Sequence, residues 1–334
     1  MKKVYWYVLL VCFVSLYVVT GFSAKPDVIG TTSAQFLKIG LGARQTAMGS
    51  AYAGVAEGID TVYWNPGGLG FVNTRQASFT NITWFQDISL QNIAYGQPLG
   101  KGVAGLSIIM VSIPGIERYD ANEKYLGTAS ANDSMISLSY GKTFVVGNKT
   151  TEKTVVSTGT VTEPVTEIVP NLSVGANLKI INSKIVDTSA NTFALDIGGL
   201  YKIPDKGINI GAAIQNLGSG LKYIETSYPL PLNIKLGVAY NSEKLLQKSL
   251  TLAFDMNIPN DNDINFCIGA EYNKQLSKEI GLAVRAGFKG GTDLDGAGMG
   301  LGVGLTYEKF GFDIGYAPQG ELGTALRITL SGKF

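Results

Sequence analysis

The chain has 334 residues, a net charge of +1 and only 16% charged residues, against ~25% in ordinary soluble domains. It has no His and two Cys, which excludes His-based triads, His metal sites and zinc clusters of several Cys. A charge so near zero gives nucleic acid no electrostatic handle, and nothing in the sequence calls for a cofactor or a metal.

The first element in chain order is a secretory signal. Met1, Lys2 and Lys3 form a basic start, Val4 to Thr20 is apolar, and Gly21, Ser23 and Ala24 supply small residues for cleavage. Residues 1–24 are therefore read as a signal peptide. An uncleaved anchor helix fits the same run, but no second hydrophobic span follows. Cys12 lies in the run without a lipobox, so cleavage leaves Cys267 alone and no intramolecular disulfide.

Residues 25–74 do not read as barrel wall. Gly40-Leu41-Gly42-Ala43-Arg44, Ala47-Met48-Gly49 and Ala51-Tyr52-Ala53-Gly54 are mostly small, and Tyr63-Trp64-Asn65-Pro66-Gly67-Gly68-Leu69 follows. Such a compact segment suits a plug inside a lumen. Arg44 is a charge among small apolar residues. If buried it needs a carboxylate partner, with Asp196, Asp255, Glu271 and Asp313 as candidates; contact with substrate is the alternative. Pro66 fixes its own φ and disfavours helical geometry at Asn65. The pair is either a rigid turn into the first strand or part of a gate.

From residue 75 onward the chain alternates. Leu236, Val238 and Tyr240 oppose Lys235, Gly237 and Ala239, and Phe310, Phe312 and Ile314 oppose Gly311 and Asp313. Alternate residues of a strand point to opposite faces. An apolar row with aromatic ends beside a polar or small row fits lipid outside and water inside. The pattern predicts fourteen strands, near 75–85, 88–98, 102–112, 133–146, 171–182, 192–203, 207–217, 230–240, 249–258, 263–273, 279–289, 297–307, 309–317 and 323–334. A membrane strand needs ~9–11 residues.

Ile88 and Leu90 against Ile93 and Tyr95 break parity, which predicts a bulge or a misread register. Long outer loops are expected near 113–132, 183–191, 218–229 and 290–296, and short periplasmic turns at 98–101, 204–206 and 308–309. The segment 147–170 is too long for the periplasmic side; it is a flap, a strand extension or a sign of miscounting. The alternate glycines of 296–304 lack the strand–turn–helix setting of a phosphate loop and read as a lumen face bared for the plug. Asp261-Asn262-Asp263 and Asp293-Leu294-Asp295 suit either solvated turns or outer Ca²⁺ sites. The last strand ends on Phe334.

Gly42-Ala43-Arg44 with Ala47-Met48-Gly49, then Trp64-Asn65-Pro66-Gly67-Gly68-Leu69, resembles the N-terminal signature of the PorV/PorQ family, within the FadL-type transporter superfamily. Ile214-Gln215-Asn216-Leu217-Gly218 and Pro229-Leu230-Pro231-Leu232 resemble its later strands. The resemblance implies an all-β transmembrane barrel of fourteen antiparallel strands over 75–334, with an N-terminal hatch over 25–74. It places this non-enzymatic protein in the outer membrane of a Gram-negative-type bacterium. Its partners would be outer-membrane lipids and the barrel-assembly machinery, the latter reading Phe334. The function implied is passive transport of small hydrophobic molecules; the alternative is a role in type IX-like secretion with cargo or secretion-system proteins. The plug and gating residues would be Arg44, Met48, Trp64, Asn65, Pro66 and Gly67. Asn65-Pro66-Gly67 matches the Asn-Pro-Ala element of the FadL hatch, with a Gly that makes the turn more flexible.

Overall fold

A computed structural model describes residues 30–84, 88–146, 151–153, 156–157, 160–161, 165–167, 171–203, 206–242, 249–291, 298–318 and 324–334. The predicted signal peptide, the 293–295 acidic loop and Pro204-Asp205 lie outside them, as do Gly296 and Ala297. Fourteen antiparallel strands close into one barrel. We number them β1 (Gln76–Thr83), β2 (Ser89–Leu99), β3 (Gly102–Tyr119), β4 (Tyr125–Phe144), β5 (Leu172–Ile185), β6 (Thr188–Ile203) and β7 (Ile208–Gly218). The others are β8 (Asn233–Asn241), β9 (Ser249–Pro259), β10 (Asn265–Gln275), β11 (Ile280–Lys289), β12 (Gly298–Tyr307), β13 (Phe310–Pro318) and β14 (Thr324–Lys333).

Parity explains the wall. Leu138, Phe193, Ile268, Val284, Leu301 and Leu330 face outward and are exposed. An apolar outer surface on every strand is a liability in water but the required surface in lipid. On the other face Asn92, Ser137, Lys179, Lys235, Glu271 and Arg327 are buried in the lumen. No described helix is long and apolar enough to cross a membrane; the strands do the spanning. Closure removes the sheet edges that would otherwise expose unpaired backbone to hydrocarbon.

The seam joins β1 to β14 from Gln76↔Lys333 to Thr83↔Leu326. The Phe334 amide donates to the Arg75 carbonyl (2.8 Å), and its ring meets Phe310 edge-on at 6.3 Å. Deleting Phe334 or making it charged is expected to lower the yield of folded, heat-modifiable barrel. Equal yield in membrane fractions would count against a role for this residue in assembly.

Three sequence expectations change. β2 pairs with β1 and β3 in unbroken register, so there is no bulge: Leu90 faces the lumen, fully buried, and Ile88 precedes the strand. The stretch 113–132 is not a loop. β3 and β4 run on as a hairpin well past the span lipid requires, with register shifts at Ile113/Ile116 and Arg118/Tyr119. Likewise 183–191 is mostly paired strand, from Thr188↔Ile185 onward. Polar and apolar residues mix in both stretches, which hid the strands from a parity test tuned to lipid. At 147–170 the strand count holds, because Phe144 pairs with Leu172. Between them lie two short strand pairs, Thr151–Lys153 with Val165–Glu167 and Val156–Ser157 with Thr160–Val161.

Candidate functional site: the hatch in its lumen seat

Residues from Gly30 to Arg75 fill the lumen as short helical turns, Gln35–Lys38, Ala43–Ala47, Thr61–Trp64 and Pro66–Phe71. Glycines and Pro66 keep each turn from growing longer. The wall is cut to receive them. Gly237, Gly269, Gly287, Gly300, Gly302 and Gly315 back directly onto the hatch, where an added Cβ would lie 2.1–2.6 Å from a hatch atom. Gly300 and Gly302 are the alternate glycines of β12. Gly304, next in that row, instead makes room for the Arg285–Asp313 pair.

Arg44 is fixed by charge. Its Nε and Nη2 donate to the two Glu271 carboxylate oxygens at 2.7 Å each, and Nη2 also reaches Glu57 at 3.1 Å. Arg285 binds the same Glu271 (2.5 Å) and Asp313 (2.5 Å). The result is a chain of alternating charges from hatch to wall. The other two candidate carboxylates serve elsewhere. Asp255 accepts the Tyr52 and Ala53 amides at 2.8 and 2.7 Å, and Asp196 pairs with Lys179 at 2.6 Å.

Asn65, wholly buried, is a three-way tie. Its Nδ2 donates to the carbonyls of Ala53 (2.8 Å) and Gly199 (3.1 Å), while its Oδ1 accepts from the Gly67 amide (2.9 Å) and caps the Pro66–Phe71 turn. Pro66 packs its carbonyl over Gly175 and its ring over Gly198. The reason for Gly at 67 is contact rather than flexibility. The position is buried, and a Cβ there would come within 2.5 Å of the Gly199 backbone. Met48 is fully buried against Gly269 and Gly287. Trp64 donates from Nε1 to the Leu41 carbonyl (3.1 Å), and Lys235 on β8 lies over its ring at 4.9 Å. Asp60 of the hatch accepts from Ser78 (2.5 Å) and Gln45 (3.1 Å); burial still pushes its carboxyl above the usual range.

Asp261 is not a solvated turn residue. It is 1% exposed, and its carboxylate takes Thr32 (2.5 Å), Gln35 (3.4 Å) and Lys38 (3.3 Å) from the start of the hatch. No group of acidic, His or Cys residues among the described residues could hold a metal ion. Sequence reasoning missed this clamp, the Lys179–Asp196 pair and the burial of Arg327, whose Nε donates to the Gly40 carbonyl (3.0 Å). The available signal was parity: a charge in mid-strand on the lumen side must find a partner inside.

The lumen has two characters. On the β1–β5 side Ile82, Leu90, Ile109, Met135 and Ile181 pack on Phe36, Leu37 and Leu41 in one apolar cluster. On the β7–β11 side a polar cavity of about 90 Å³ lies between Tyr63–Trp64 and the wall.

No protein-family model and no curated protein matches this chain. Solved structures do. The toluene transporter TbuX of Ralstonia pickettii aligns with TM-score 0.54 and 14% identity over 88% of this chain and 98% of its own. The toluene transporter TodX of Pseudomonas putida gives 0.56 and 11%, again over 88% and 98%. A FadL homologue of Pseudomonas aeruginosa gives 0.51 and 11% over 87% and 96%. At these identities the likeness is one of fold: this chain shares the barrel fold of these three proteins.

Proposed function

We propose that this chain is a passive outer-membrane channel for small hydrophobic molecules, with the hatch controlling access. The observation that carries the reading is a closed fourteen-strand barrel of the same fold as two toluene transporters across nearly their whole length. The apolar cluster joining Phe36, Leu37 and Leu41 to β1–β5 supports it, because apolar ligands gain from leaving water for such a surface. Arg44, Met48, Trp64, Asn65, Pro66 and Gly67 are then the residues that seat the hatch. Lipids of a Gram-negative-type outer membrane surround the barrel, and the assembly machinery inserts it. The alternative role in secretion finds no support in these neighbours.

The test is uptake of labelled toluene by cells whose outer membrane lacks other hydrocarbon channels. Cells carrying the protein should take it up faster, and saturably. Equal rates with and without the protein would overturn the proposal.

A further inference from the structure

One stretch of the barrel rim carries cations that have no carboxylate partner among the described residues. It lies at the end of the barrel with the short turns, Gly100-Lys101 between β2 and β3 and Glu308-Lys309 between β12 and β13. In barrels of this kind that end faces the periplasm. Arg75, Lys101 and Lys309 are exposed there, and Lys142 is half-buried. Among the described residues none of the four makes an ion pair, and the acids on this stretch are Glu308 and the carboxylate of the last residue, Phe334. The four cations spread over six consecutive strands, from β13 through β14 and β1 to β4. At a strand spacing of ~4.8 Å that is roughly 25 Å of rim.

Parity sets this charge against lipid. Arg75 shares the outward face of Phe79, and Lys142 that of Ile136, Leu138 and Tyr140. Tyr95, Tyr140, Phe310 and Phe334 border the stretch and are exposed; such rings mark the boundary between hydrocarbon and headgroups. Long cationic side chains just beyond that boundary reach headgroup phosphates. Two of the cations also form a small seat. Val103 pairs with Gly141, which sets Lys142 beside Gly102, the residue after Lys101. The Tyr140 side chain lies over the same glycine, where an added Cβ would be 2.4 Å from its hydroxyl. That hydroxyl has no hydrogen-bond partner among the described residues. Lys142 extends toward water, its ammonium over the Phe144 ring at 5.4 Å. Neighbouring like charges on a sheet repel, and an anion between them removes the repulsion. A phosphate has the acceptor oxygens to take all three donors.

We infer that this rim binds anionic phospholipid of the periplasmic leaflet, with a headgroup phosphate on Lys101, Lys142 and the Tyr140 hydroxyl, and with Arg75 and Lys309 adding charge along the arc. The site goes beyond hydrocarbon transport and does not depend on it.

The experiment uses the full chain purified in non-ionic detergent. It is titrated with phosphatidylglycerol and, separately, with phosphatidylcholine of the same acyl chains, and bound lipid is counted by native mass spectrometry. Phosphatidylglycerol should bind saturably and more tightly by at least about fivefold, the effect of a single rim cation. Lys101→Gln combined with Lys142→Gln should weaken phosphatidylglycerol by at least about tenfold and leave phosphatidylcholine unchanged. Lys184→Gln combined with Lys222→Gln, which removes two exposed cations at the opposite end, should change neither. Soluble glycerol 3-phosphate should not displace the lipid. Equal affinity for the two lipids, equal losses in the two double variants, or displacement by glycerol 3-phosphate would each overturn the inference. Heat-modifiability confirms that the variants fold; if the first does not, the comparison of the two lipids on the parent decides. Because the readout is lipid binding by purified protein, failure here is distinct from failure of toluene uptake by cells.

Discussion

Leu236→Arg is expected to destabilise the barrel in phospholipid by about 2–4 kcal/mol, the cost of a cation facing hydrocarbon near mid-strand. Leu236 points outward in the middle of β8. Asn273→Arg on β10 is the matched lumen-side change. Asn273 is partly exposed on the lumen side, where a long charged side chain can reach water rather than lipid; its cost should stay below about 1 kcal/mol. Reversible urea unfolding of both variants in vesicles checks the pair. Equal losses would mean that the two faces have been interchanged. Gly237→Ser is not an innocuous lumen control, because a Cβ at 237 would run into Asp255 and the Gly54 amide.

The second large effect is expected at Glu271. This carboxylate holds Arg44 and Arg285 together, and the Glu271 and Arg285 side chains are almost wholly buried. Glu271→Gln removes the shared charge. Stranding one partner of a buried pair costs ~3–5 kcal/mol, and the remaining contacts of Arg44 with Glu57 and Arg285 with Asp313 place the expectation near the lower bound, about 3 kcal/mol. Arg44→Met should cost less, since Glu271 keeps Arg285. Limited proteolysis in detergent, reading cleavage within residues 30–75, should show the hatch opening more in Glu271→Gln than in Arg44→Met. The reverse order would show that the charge chain does not hold the hatch.

Much of this architecture was legible in the residues because lipid imposes a strict rule. Each membrane strand must alternate, so all fourteen strands stood out by parity, and the alternate glycines of β12 marked where something packs against the wall. The rule weakens beyond the bilayer. There water is on both sides of the strand, side chains need not alternate, and the extensions of β3, β4, β5 and β6 read as loops. Ile88 and Leu90 misled for a related reason: an apolar residue may face a lumen filled by the hatch, so Leu90 looked out of phase while being in register. Pairing inside the lumen was less legible still. Arg44 was bound to need a carboxylate, but which of Asp196, Asp255, Glu271 and Asp313 receives it depends on the path of the hatch. That path is set by close backbone contacts such as Gly67 on Gly199, which leave no periodic trace. Asp261, read as a loop acid, holds the start of the hatch for the same reason.

The most direct measurement of the central claim is toluene uptake by cells carrying the parent, Asn65→Ala, Pro66→Ala or a hatch deletion, with surface levels and heat-modifiability matched. Asn65→Ala strips donors from the Ala53 and Gly199 carbonyls and an acceptor from Gly67, while the wall, made by strand pairing alone, should still assemble. Folded barrels are expected in every case, with uptake rates that differ from the parent in both point variants and in the deletion. Folded barrels whose uptake equals the parent's in all three would contradict a hatch-controlled channel.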